Sequence, residues 1–158
     1  MGSLIDFIES EAKANAAFHI ANGEAMAKEG NTLLGLLLAG AGGMAAYFVG
    51  LAGKGAPNWQ LAGVGGAATY LFIVAGLTLW SCLWVRPIWP PANEPANFPL
   101  DGFDVDAVRI GDLPNRQACI TANRERNDSV GMWLNRCRAL AAATPIIAIA
   151  CAAVALAV

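Results

Sequence analysis

Three long stretches of this chain carry no charged residue: 30–53, 55–85 and 139–158, runs of 24, 31 and 20 residues. The hydrocarbon core of a bilayer, roughly 30 Å thick, takes about 20 apolar helical residues to cross. In lipid every backbone N–H and C=O needs an internal partner, so each run predicts a transmembrane helix. Composition points the same way. Charged residues are 14% of the chain and the mean hydropathy is +0.48, whereas soluble domains carry about 25% charge. A soluble fold would leave too little polar surface to cover three helices that are apolar all round. The expected fold class is all-α: a polytopic membrane protein with three transmembrane helices, an N-terminal cytoplasmic helix and a cytoplasmic loop-helix segment.

Residues 1–30 read as that first helix, rich in Ala, Glu, Lys and Met and free of proline, with Ile5, Ile8, Ala12 and Ala16 as a weak apolar stripe. Seven charges among the first 29 residues speak against a cleavable signal peptide. His19, the only histidine, is expected at the surface. The first span is placed at 31–53. Its Gly35, Ala39 and Gly43, and its Gly42, Ala46 and Gly50, recur every fourth residue, a spacing that lets helices approach closely in lipid. The turn Gly53–Trp59 leads to a second span at 60–85, which carries Gly66. The two spans form an antiparallel hairpin, and the small-residue faces pack either within it or between copies of the chain. Trp80, Trp84 and Trp89 mark a headgroup boundary.

Residues 86–138 change character. A proline-rich, non-helical loop is expected up to about Pro114, with Asp112 as cap and Pro114 in the first turn of a helix that continues into the third span, 139–158. Pro145 should kink that span. Seven arginines lie between Arg86 and Arg138, against Lys54 alone in the hairpin turn. The positive-inside bias then puts the N-terminus and 86–138 in the cytoplasm, with the hairpin turn and the C-terminus outside.

Catalytic chemistry has little to work with. No serine has a nucleophile-elbow context, the glycine clusters fall inside apolar runs, and Cys82, Cys119, Cys137 and Cys151 lack zinc-site spacing, so neither an enzyme nor a metal site is expected. The spans hold no charge, which argues against ion-coupled transport. The net charge of −2 offers no basic face for nucleic acid. What remains is a cytoplasmic set of arginines and asparagines. Guanidinium forks suit phosphate and carboxylate, and carboxamides read base edges or ribose hydroxyls. Arg109, Arg116, Asn123, Arg124 and Asn127 are the candidate ligand contacts. A solvated helix whose arginines serve only orientation and headgroup contact uses the same residues.

The run AMAKEGNTLLGLLLAG (Ala25–Gly40), the glycine-turn hairpin closing at Arg86-Pro87, and a helix from near Asn115 into a last span after Arg138 together resemble the Pycsar transmembrane effectors of bacterial anti-phage defence. The resemblance covers nearly the whole chain as architecture. It implies a homo-oligomer that senses a cyclic pyrimidine nucleotide, cyclic CMP or cyclic UMP, made by a partner cyclase. The membrane part then impairs the inner membrane and aborts infection. Two other classes fit the glycine stripes: a holin-like pore-forming lysis protein, and a non-enzymatic membrane adaptor subunit. The cytoplasmic loop-helix is larger than pore formation alone demands, and the dense basic tail common in holins is missing.

Overall fold

The computed structural model describes residues 4–84, 87–90, 102 and 104–157. Among them every regular element is a helix: α1 (Leu4–Gly53), α2 (Asn58–Thr78, extended by a π-helical turn over Leu79–Leu83), α3 (Val105–Ala142) and α4 (Thr144–Ala157). Two of these are long and apolar enough to cross a membrane, and α3 with α4 makes a third if the bent pair is one span. Alone, α4 has 14 residues, too few for a crossing at about 1.5 Å per residue. The chain divides into two compact units, one of 1–26 with 85–129 and one of 27–84 with 130–158.

In the second unit α1 and α2 form the expected antiparallel hairpin. Its turn follows from local backbone bonds. The Ala56 N–H donates to Leu51 C=O and the Gly55 N–H to Ala52 C=O, both at 3.1 Å, while Gly55 takes φ +68°. This is the Schellman arrangement, which satisfies the last helical carbonyls and favours a residue without Cβ at the left-handed position. Pro57 then starts α2 as its N-cap. Leu37 and Ala41 of α1 pack on Leu71, Val74 and Ala75 of α2 and on Cys137 of α3, forming the core.

The small residues divide between two surroundings. An ideal Cβ on Gly66 would lie 2.5 Å from Cys151 Sγ, and one on Gly63 would lie 3.2 Å from the Ala148 carbonyl oxygen, so α4 seats directly on the backbone of α2. Gly35, Gly43 and Gly50 have nothing within 4 Å, and Ala39 and Ala46 are exposed with them. The stripe on α1 is therefore not what closes the hairpin. Larger side chains on the inner face of α1, Leu37 among them, do that.

Pro145 has no N–H to give Ala141, and the chain bends by 43° between α3 and α4. The carbonyls freed there find other donors. Thr144 Oγ1 donates to Ala141 C=O at 2.7 Å, Tyr70 Oη to Leu140 C=O at 3.0 Å, and the Ala143 N–H is shared between Ala139 and Leu140. The expected kink is present, and α3 ends at it. At the other end of this unit Glu29 and Arg138 form an ion pair at 2.5 Å, and the Arg136 guanidinium lies 5.0 Å from the Trp133 ring centroid. Trp80 and Trp84 are exposed, with ring centroids 4.7 Å apart.

One boundary differs from the sequence-based expectation, the start of α3. The segments placed at 1–30 and 31–53 form one continuous helix, α1, which Gly30 does not interrupt. Instead its missing side chain makes room for Leu83, 2.9 Å from an ideal Cβ, and for Leu134. Helix α3 begins at Val105, so Pro114 lies in its interior and Asp112 does not cap it. The extra turns carry Asp106 at the positive helix end and Arg109, whose ion pairs hold that end in place. Most of the proline-rich connector (91–101 and 103), along with Arg86, lies outside the described residues.

Candidate functional site

In the first unit the N-terminal part of α1 lies alongside α3, and the two run parallel: Asp6 and Glu9 meet Arg109, and His19 meets Asn127. The contact is mostly polar. Arg109 Nη2 reaches Asp6 Oδ1 at 2.5 Å and Glu9 Oε2 at 3.0 Å, while its Nη1 lies 3.3 Å from Asp106 Oδ1. The other oxygen of Glu9, Oε1, is 3.8 Å from Arg116 Nη2, and Arg116 Nε donates to Asp112 Oδ2 at 2.6 Å. Glu9 therefore bridges two guanidinium groups with its two carboxylate oxygens.

Electrostatics follow from this geometry. The hydrogen bond from Arg109, with the fields of Arg109, Arg116 and Lys13, outweighs desolvation and holds the Glu9 carboxyl below its ordinary value. The hydrogen bonds to Glu9 and Asp6 in turn raise the pKa of Arg109 further above its already basic value. Asp112 is buried, and Arg116 forms an ion pair with it.

Farther along α3 the asparagines act on backbone groups. Asn123 is 3% exposed, and its carboxamide grips the Trp89 peptide from both sides. Its Nδ2 donates to Trp89 C=O at 3.0 Å, and its Oδ1 accepts from the Trp89 N–H at 3.3 Å. A side-chain amide here does the work of a neighbouring strand and pins the segment 87–90. Asn127, 2% exposed, donates from Nδ2 to the His19 carbonyl at 2.7 Å. This close approach needs Gly23, since an ideal Cβ there would lie 3.0 Å from Asn127 Oδ1 and 3.1 Å from Arg126 Nη1.

Of the five residues selected from sequence, all lie on α3. Arg109 and Arg116 are joined through Glu9. Asn123 and Asn127 face inward toward backbone partners. Arg124 is exposed, and no hydrogen bond or ion pair engages it among the described residues. Sequence reasoning missed Asp6, Glu9 and Gly23, whose partners are about a hundred positions away, and placed His19 at the surface. His19 is half-buried, with Nδ1 shielded from solvent. The four-residue spacing of Gly23 from His19 and of Asn127 from Asn123 was the available signal for this interface. Among the described residues no group of three or more His, Cys, Asp or Glu side chains could hold a metal ion. Comparison with protein-family models, curated proteins and solved structures finds no match.

Proposed function

We propose that this chain is a non-enzymatic membrane effector of anti-phage defence. Its cytoplasmic unit senses cyclic CMP or cyclic UMP from a partner cyclase. Its membrane helices, assembled as a homo-oligomer, then impair the inner membrane and abort infection. The observation that carries this reading is the Arg109–Glu9–Arg116 bridge. Both guanidinium groups are held by carboxylates of the protein itself, and a phosphate is an acceptor of the same kind. An anionic nucleotide that took over these forks, aided by the unengaged Arg124, would release the N-terminal part of α1 from α3. Asn123 and Asn127 keep the surrounding helix and connector in place for that exchange.

Topology supports the same reading. The pairing of α1 with α3 in the first unit requires both segments on one side of the bilayer, as an even number of crossings between them gives. The arginine excess supports the cytoplasm as that side, with three spans and a periplasmic C-terminus.

A holin-like reading is favoured by the open small-residue face of α1, which could line or join a pore. One experiment separates the readings. The protein is expressed in a bacterium and membrane potential is recorded with and without added cyclic CMP or cyclic UMP. Collapse only with nucleotide is the expected result. Timed lysis without nucleotide would replace the proposal with a holin, and no effect in either arm would leave a membrane adaptor.

A further inference from the structure

Beside the carboxylate bridge, two nitrogen atoms of the first unit are shielded from solvent and have no hydrogen-bond partner among the described residues: Nδ1 of His19 on α1 and Nε of Arg126 on α3. Both belong to the neighbourhood of Gly23. His19 is one helical turn before Gly23 on the same face of α1, and its carbonyl accepts from Asn127, the residue after Arg126. Arg126 Nη1 would lie 3.1 Å from a Cβ on Gly23, so the guanidinium rests against the backbone of α1. The carboxylates that pair with arginine in this unit go to Arg109 and Arg116, and none among the described residues pairs with Arg126.

A guanidinium remains charged at any ordinary pH. Shielding its Nε–H without an acceptor is costly, and such orphaned donors are rare in folded proteins. A water molecule could accept from Nε but would leave the charge uncompensated. An oxyanion answers both needs and can also accept from the imidazole in the tautomer with its proton on Nδ1. Arg126 is only partly buried, which keeps the place within reach of solvent.

We propose that His19 and Arg126 form an oxyanion site that takes a phosphate group, either free inorganic phosphate or the phosphate of a nucleotide. Only the second identity rests on the nucleotide-sensing reading above.

The test uses the full chain in a maltoside detergent, which carries no phosphate. His19 is the sole histidine, so its imidazole NMR signals report on the site without ambiguity. Inorganic phosphate, added at constant ionic strength, should shift those signals saturably and raise Tm. Arg126→Met should lose both responses, with affinity reduced about tenfold or more, as loss of a charge-assisted hydrogen bond implies. Without phosphate its Tm should equal or exceed that of the unmodified protein, because an apolar chain replaces an uncompensated charge. Arg126→Lys, which keeps the charge but not the fork, should retain a weakened response. Absence of a saturable His19 shift, or an equal shift in Arg126→Met, would overturn the site. If phosphate shifts His19 and cyclic CMP does not, the site stands and its nucleotide identity falls. If cyclic CMP binds the unmodified protein and Arg126→Met equally well, the nucleotide reading stands at the Arg109 and Arg116 forks and the nucleotide identity of this site falls.

Discussion

Glu9 is one carboxylate shared by two arginines, and its titration should govern the contact between α1 and α3. Its folded pKa is lowered, so the stabilisation it supplies is present above the ordinary value of 4.5 and is lost as pH falls through the folded value. Amide protection over residues 4–26, taken relative to the intrinsic exchange rate at each pH, should therefore fall on acidification below pH 4.5. Glu9→Gln should already show the lower protection at neutral pH. Exchange in the variant that matches the unmodified protein at pH 7 would mean that the bridge holds nothing together. Asn123 tests a different kind of contact. With the carboxamide removed, Asn123→Ala deprives the Trp89 N–H and C=O of their partner, at a cost of about 0.5–1.5 kcal/mol for each hydrogen bond, measurable as lower stability and as faster exchange of the Trp89 amide. The residue types of this unit could be picked out from the sequence, since arginine and asparagine are the groups able to hold anions and amides. Their partners could not. Arg109 and Asp6 are 103 positions apart, and no local spacing relates them.

At the level of elements, glycine spacing alone does not say which face of a helix is covered. Gly66 and Gly43 follow the same rule in sequence, yet one lies under Cys151 and the other in open space. Gly66→Ala should cost about 1–3 kcal/mol by crowding α4. Gly43→Leu should leave the monomer's hairpin intact and disturb only association between copies. Thermal denaturation and size analysis in detergent, applied to both variants, separate the two effects. If Gly43→Leu unfolds the protein, the face is covered within the chain. Other element-level features follow physical signals of unequal strength. The kink at Pro145 was readable because a missing N–H has one consequence. The start of α3 was misjudged because Pro114 suits a first turn. Only the ion pairs of Arg109, set by distant residues, show that the helix begins nine positions earlier. The π-helical turn over Leu79–Leu83, which buries Ser81 and Cys82, has no sequence signal that we can identify.

For the whole molecule, the all-helical character and the apolar spans were legible because lipid leaves the backbone few alternatives. Uncharged runs of sufficient length are a direct physical record of that constraint. The chemistry of the polar first unit was less legible, because a polar surface in water admits many arrangements of the same arginines. The rigid turn after α1 has a practical consequence for orientation. It displays Lys54, fully outside both helices and the only primary amine between Lys28 and the end of the chain. A membrane-impermeant acylating reagent applied to intact cells should thus modify this one lysine and spare Lys13 and Lys28. The reverse pattern would turn the whole protein over in its bilayer.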